Sequence, residues 1–100
     1  MYDVRLTKRA AKDYDLLERA GLAGKRGEFI SISETDPLRN PPEYEALKGD
    51  KKGAYSRRIN KKHRFVFEVL PSDENSVDET GEPYEGIVKI ISMWTHYEKI

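Results

Sequence analysis

The sequence predicts an α+β fold, two N-terminal helices packed on a mainly antiparallel β-sheet in the order β-α-α-β-β-β-β. Three observations carry this. Apolar residues recur at helical spacing from Ala10 onward and again up to Ser33. Asp36-Pro37 and Asn40-Pro41-Pro42 then end helical structure, because proline cannot donate a backbone hydrogen bond. After Pro42 the chain turns to short segments that alternate between apolar and polar residues, the period of a strand.

Each element has its own signal. Residues 2–6 alternate as a strand does. Thr7 is placed to cap a helix over 8–20, with Ala10, Tyr14 and Leu17 on one stripe and Gly21 just past its end. A second helix is expected over 22–33, carried by Leu22, Phe29 and Ile32, although Ile30-Ser31-Ile32-Ser33 also alternates like a strand. Residues 44–48 form a candidate strand, and 49–53 a charged turn. The next strands are expected at 54–59 and 63–70, joined by a tight turn at Asn60-Lys61-Lys62. In the second of these, Phe65, Phe67 and Val69 should face the helices, and Arg64, Val66 and Glu68 the opposite side. Residues 71–86 are polar, acidic and aperiodic, and read as a mobile loop. Residues 87–97 are apolar on both faces near their start, as a central strand would be.

Composition narrows the function. One hundred residues suit a single domain over 1–100, large enough for one core. With no cysteine, disulfide frameworks and thiolate metal sites are excluded. Two histidines make a poor zinc set, so no metal and no cofactor are expected. Met1-Tyr2-Asp3-Val4-Arg5 lacks the apolar core of a signal peptide, and no stretch approaches the roughly 20 apolar residues of a membrane span. The expectation is a cytoplasmic protein without a membrane partner.

The zero net charge hides a local polarity. Between positions 48 and 64 stand Lys48, Lys51, Lys52, Arg57, Arg58, Lys61, Lys62 and Arg64, opposed only by Asp50. Between 71 and 88 there are six acids and no lysine or arginine. A basic stripe beside strands is either a solvated face or the footprint of a polyanion, and density alone leaves the two about even. The acidic stretch is either a solubilising insertion or a surface that shields the stripe or meets a partner.

The second half carries a longer signature: Glu45-Ala46-Leu47-Lys48, then Gly53-Ala54-Tyr55-Ser56-Arg57-Arg58-Ile59, then His63-Arg64-Phe65-Val66, and His96-Tyr97 near the end. This pattern resembles the YoeB/Txe branch of the RelE-type toxins over about residues 43–70 and 88–97. Tyr55 stands where tryptophan is common in that branch, the acidic stretch is longer, and the chain continues past Tyr97. The resemblance implies a compact microbial-ribonuclease-like fold and cleavage of mRNA in the ribosomal A site. It also implies neutralisation by a cognate antitoxin, and many members are homodimers. Carried over by position, it implies Glu45 as general base, Arg64 as phosphate-binding arginine, His96 as general acid, Tyr97 as the terminal tyrosine and Lys48 as an aid to the phosphate.

Metal-free RNA cleavage needs such a set. The substrate's own 2′-OH attacks, a base removes its proton, and an acid protonates the departing 5′-oxygen. Charge gathers on the phosphate between these events, so fixed cations there lower the barrier. Glu45 can act as base if partly desolvated, His96 can donate a proton near neutrality, and the planar fork of Arg64 matches phosphate oxygens. Lys51, Lys52, Arg57, Arg58, Lys61 and Lys62 read as ribosomal RNA contacts, and Tyr55 and Tyr97 as residues that could stack on bases. His63 reads as a structural histidine, Phe65 and Phe67 as core. Taken without the resemblance, Glu45 could be an ordinary edge carboxylate and Arg64 a surface cation. Two other functions stay open: a same-fold toxin that binds a target such as DNA gyrase, and a plain RNA-binding module.

Overall fold

The computed structural model of the chain describes residues 1–73 and 75–94. Its elements are β1 (Asp3–Leu6), α1 (Lys8–Arg19), α2 (Ala23–Thr35), β2 (Glu45–Ala46), β3 (Ala54–Arg58), β4 (Arg64–Leu70) and β5 (Ile87–Ser92), with a single 3-10 turn at Gly49–Lys51. The five strands form one sheet in the order β1-β5-β4-β3-β2. β1 runs parallel to β5, and every other pairing is antiparallel. The predicted α+β class and element order match this arrangement. The helices pack on one face of this sheet, chiefly against β1 and β5, and the 37–42 segment meets Arg57 of β3 on the same side, which leaves the other face for a site.

Helix α1 begins as its sequence dictates. Thr7 Oγ1 accepts the Ala10 N–H at 3.0 Å and donates to the Ile91 carbonyl at 2.8 Å, so the cap also ties the helix to β5. Gly21 ends it at φ 77°, the left-handed conformation that glycine adopts without a Cβ penalty. The buried stripe is Ala10, Asp13 and Leu17 rather than Ala10, Tyr14 and Leu17. Tyr14 sits at the margin, its ring covered by the Arg26 guanidinium at 3.6 Å. In α2 the alternating Ile30–Ser33 stretch is helical. The Ser33 hydroxyl donates to the Phe29 carbonyl at 2.8 Å, which satisfies a buried polar group inside the helix.

The core joins Ala10, Leu17, Phe29 and Ile32 of the helices to Phe65, Phe67, Val88 and Ile90 of the sheet and to Ile59 and Met93 just past the ends of β3 and β5. Phe29 meets Phe65 edge-to-face at 5.5 Å between centroids. Val66 was expected on the open side. It takes that side, yet it is fully buried, between Ser56 and Ser92 on the neighbouring strands. A β-bulge falls here: Phe67 pairs with Ile90 but Val66 with Ser92, so Ile91 is the extra residue. The insertion reverses the parity of β5, which is why Met93 enters the core although Val88 and Ile90 set the opposite count.

The acidic stretch is a loop, as expected, but its described part carries local bonds of its own. Val77 and Pro83 form an isolated bridge, and the Asp78 carboxylate accepts from the Thr80 amide at 2.8 Å, the Thr80 hydroxyl at 2.7 Å and the Glu82 amide at 3.0 Å. The turn is fastened to the chain start, where the Met1 ammonium meets Glu85 at 2.6 Å. Its order comes from an aspartate bonding its own following backbone, a signal that hydrophobic periodicity does not carry.

Gly86 sits where β4, β5 and Tyr2 converge. A Cβ there would lie 2.8 Å from the Leu70 carbonyl oxygen and 3.1 Å from the Tyr2 ring. Gly86→Ala is expected to lower stability by about 1–3 kcal/mol, read as a fall in the denaturation midpoint. The Thr80 hydroxyl above all, then the Glu82 amide, holds the Asp78 carboxyl below its ordinary value. A depressed carboxyl stabilises the turn above its unfolded pKa, and that contribution is lost as pH falls through the folded one. The Thr80 and Glu82 amide NMR shifts should therefore stay constant from neutrality down to about pH 4 and move only below it.

Candidate active site

The register of β2, β3 and β4 assembles the site on the face away from the helices. Glu45 pairs with Ser56, and Arg58 pairs with Arg64. Because side chains alternate, all four project to the open face. They line one cleft of about 400 Å³, together with Asn40, Glu43 and Tyr44 from the segment before β2. Glu45 and Arg64, nineteen positions apart, are thus brought to one cavity. Arg64 is half-buried, and its Nη1 donates to the Asn60 carbonyl at 3.1 Å and the His63 carbonyl at 3.4 Å. That anchors the guanidinium to the β3–β4 turn and leaves its second amino group without a protein partner among the described residues. Glu45 is exposed, so burial within this chain does not desolvate it.

His96 and Tyr97 lie outside the described residues. The chain leading to them is clamped. Asp13, only 4% exposed on α1, accepts the Met93 N–H at 2.9 Å. Arg9 donates to the Trp94 carbonyl at 3.2 Å and lies 3.6 Å from the same Asp13 oxygen. His63 is buried and stacks on Trp94 with centroids 3.9 Å apart and planes 23° from parallel. It thus packs against the chain segment that leads to His96.

Two expected RNA contacts are corrected. Arg57 is 1% exposed and faces the core. Its guanidinium donates to the carbonyls of Pro42, Pro37 and Arg39, the latter two both at 2.9 Å. Desolvation lowers its pKa from the ordinary arginine value, partly opposed by Tyr44 and Asp36. No solvent-borne RNA can reach it. Tyr55 lies on the same inward face, edge-to-face with Tyr44 at 5.6 Å and tilted on Phe67 at 5.6 Å. It packs within the protein rather than standing on the open face. Strand alternation is the reason in both cases: neighbours Ser56 and Arg58 took the outward positions.

The remaining predicted contacts, Lys48, Lys51, Lys52, Arg58, Lys61 and Lys62, are exposed. Lys51 and Lys52 border a second hollow on the open face, with Lys89 of β5 and Glu68 of β4. Sequence reading missed Lys89, Ser56, Tyr44 and Asp13. The first two were available from strand period once the register was known. Asp13 carried the opposite signal, a charge where an apolar stripe residue was sought. Among the described residues no cluster of three or more His, Cys, Asp or Glu side chains could hold a metal ion, and no helix is long and apolar enough to cross a membrane.

A family profile described as YoeB-like toxin of bacterial type II toxin-antitoxin system matches residues 6–97. Among solved structures, the chain is similar to the YoeB/ParE toxin from Agrobacterium tumefaciens, at 28% identity and a TM-score of 0.72, over 95% of this chain and 99% of that one. It is similar to a chain of the YoeB-YefM complex from Staphylococcus aureus at 26% identity and a TM-score of 0.67, over 97% of this chain and 99% of that one. YafQ from E. coli, at 13% identity and a TM-score of 0.66 over 100% of this chain and 99% of that one, shares the fold. No curated protein sequence matches.

The clamp on Met93 generates a test. Asp13→Ala leaves a buried backbone N–H without its acceptor and is expected to destabilise the chain by about 1–3 kcal/mol. Asp13→Asn keeps an acceptor oxygen and should recover most of the loss, both read from denaturant midpoints.

Proposed function

Since the chain belongs to the YoeB-like toxins of bacterial type II toxin-antitoxin systems, we propose that it is a metal-independent endoribonuclease that cleaves mRNA in the ribosomal A site. The observation that carries this reading is the shared cleft: a carboxylate, Glu45, and two guanidinium groups, Arg58 and Arg64, line one cavity on the uncovered face of the sheet. A nuclease needs a base and cations within one substrate's reach, and a plain binder needs only the cations.

In this reading Glu45 takes the proton of the 2′-OH, and the oxygen attacks the adjacent phosphorus. Arg64, held by the turn carbonyls, meets the charge that gathers on the phosphate oxygens, with Arg58 across the strand pair and Lys48, three residues past Glu45, as further cations. Substrate bound over the cleft supplies the desolvation that Glu45 lacks alone. His96 protonates the departing 5′-oxygen, and Tyr97 follows it in sequence as a further substrate contact. The product is a 2′,3′-cyclic phosphate. Carboxylate, imidazole and guanidinium complete both proton transfers, so the scheme calls on no metal. Lys51, Lys52, Lys61 and Lys62 serve as ribosomal RNA contacts.

The relatives suggest the partners. One is described as a YoeB-YefM complex and another as a YoeB dimer, both from Staphylococcus aureus. We extend both to this chain: a cognate antitoxin neutralises it in the cytoplasm, and it can pair with a second copy.

Primer extension on ribosome-bound mRNA tests the scheme. Wild type should give new ends at A-site codons only when ribosomes are present. Glu45→Gln, Arg64→Ala and His96→Ala should each cut the rate by about 10²-fold or more. Ends bearing 3′-hydroxyls, or slowed translation with intact mRNA, would overturn it. Loss of DNA supercoiling with intact mRNA would point to a gyrase-directed toxin instead.

A further inference from the structure

The buried guanidinium beside the cleft has a purpose that the nuclease scheme does not use. We propose that Arg57 is a positioning residue, which holds the proline-rich segment 37–42 against the core and thereby sets the place of Glu45 in the cleft. This inference rests on the nuclease reading for its effect on rate, but its structural content stands alone.

The geometry is specific. One side chain satisfies three backbone carbonyls of a single short segment, those of Pro37, Arg39 and Pro42. Pro37, Pro41 and Pro42 have no N–H, so the segment cannot join a ladder, and its inward carbonyls must find donors elsewhere. Among the described residues no carboxylate forms a salt bridge with Arg57. The aromatic faces of Tyr44 at 5.1 Å, Phe67 at 5.7 Å and Phe29 at 6.0 Å surround its charge instead. The three bonds come from two separate amino groups of one planar fork, a span that a lysine ammonium, with its donors on a single nitrogen, does not reproduce.

The segment it holds runs directly into the cleft wall. Asn40, Glu43, Tyr44 and Glu45 line the cavity, and Pro42 lies three residues before Glu45. β2 itself has two residues and sits at the sheet edge, held through Glu45–Ser56, Ala46–Tyr55 and the Leu47 N–H to the Ala54 carbonyl at 2.9 Å. An edge strand that short has little register of its own. Arg57 follows both β3 partners, Tyr55 and Ser56, in sequence, so one strand fixes β2 laterally while its next side chain fixes the approach from behind. A residue acting only on stability would leave a folded variant fully active. A positioning residue leaves the fold and ribosome binding in place and lowers the chemical rate.

The test combines two readouts on the full chain. In ribosome-dependent cleavage, folded Arg57→Lys and Arg57→Met should lose at least about tenfold in kcat, with KM for programmed ribosomes changed less than about twofold, since small misplacements of a reacting group are costly. In NMR, Arg57→Lys should shift the amides of residues 43–46 while those of α1 stay in place. Wild type that cleaves alongside a folded Arg57→Lys of equal rate overturns the inference. Wild type that does not cleave sinks the nuclease reading, and the amide shifts then decide the positioning role: unmoved 43–46 resonances overturn it. Where neither variant folds, the wild-type guanidinium decides. Its Nη protons should exchange slowly and resolve individually, and exchange as fast as that of exposed Arg58 overturns the inference.

Discussion

Successive residues of a strand point to opposite faces, and in β3 that constraint divides two adjacent arginines. Arg57 enters the core and Arg58 reaches the open face. A guanidinium taken from water without partners would carry a large penalty, so the inward position exists only because a proline-rich segment presents carbonyls there. Each carbonyl left unmet would cost about 1–3 kcal/mol. The two deficits, a cation without water and carbonyls without amides, cancel one another. This differs from a buried ion pair, which well-packed apolar residues can often replace without loss. An apolar substitute here would leave backbone groups of another segment stranded, and that segment leads straight to the cleft.

The sheet order assigns its two faces different work. β1 and β2 are the edges, so the chain between them must cross the sheet, and it does so on one side, the helices over β1 and β5 and the 37–42 segment over β3. Phe65 and Phe67 of β4 pack beneath them, while Arg64, two positions before Phe67's neighbour Val66, looks the other way. Rigid strands thus carry the cations, and packing on one side fixes the aim of the other. The bulge at Ile91 adds a correction at the far end of β5. It turns Met93 inward, where Asp13 of α1 takes its N–H, so a residue early in the chain fixes the approach to its last segment.

Much of this was legible in the sequence. Thr7 and Gly21 bracket α1 by local chemistry, the prolines separate helices from strands, and the Phe65–Val69 alternation identifies the inward face of β4. Glu45 and Arg64 were joined by resemblance, and the register explains their meeting: Glu45 faces Ser56, and Ser56 lies two residues from the Arg58–Arg64 pair. What escaped was set by tertiary context. A charge count treats Arg57 and Arg58 alike, since it has no term for sidedness. The helical stripe admitted Tyr14 over Asp13, because an acceptor for a backbone amide eighty residues away is invisible locally. The acidic stretch looked unstructured for want of periodicity, yet its order lies in the bonds around Asp78.

The cleft's electrostatics follow from the same topology. Arg58 directly opposite Arg64 is a like-charge cross-strand pair, which weakens a sheet by about 0.2–1 kcal/mol against a neutral pair. It persists where solvent screens it and where turn carbonyls hold one partner. Neither guanidinium has a carboxylate in salt-bridge range among the described residues, so both are available to an anion that bridges them. Glu43 and Glu45 share the cleft with them, while the acids of the Asp78 turn stand elsewhere. The turn around Asp78 is fastened to the N-terminus beside β1, and β2 with its cleft is the opposite edge, with β5, β4 and β3 between them. The Asp78 turn therefore does not lie over the cleft. Within the cleft the two guanidinium groups therefore share their space with Glu43 and Glu45 alone among the described acids that line it, and the Asp78 turn at the far edge of the sheet adds no charge there.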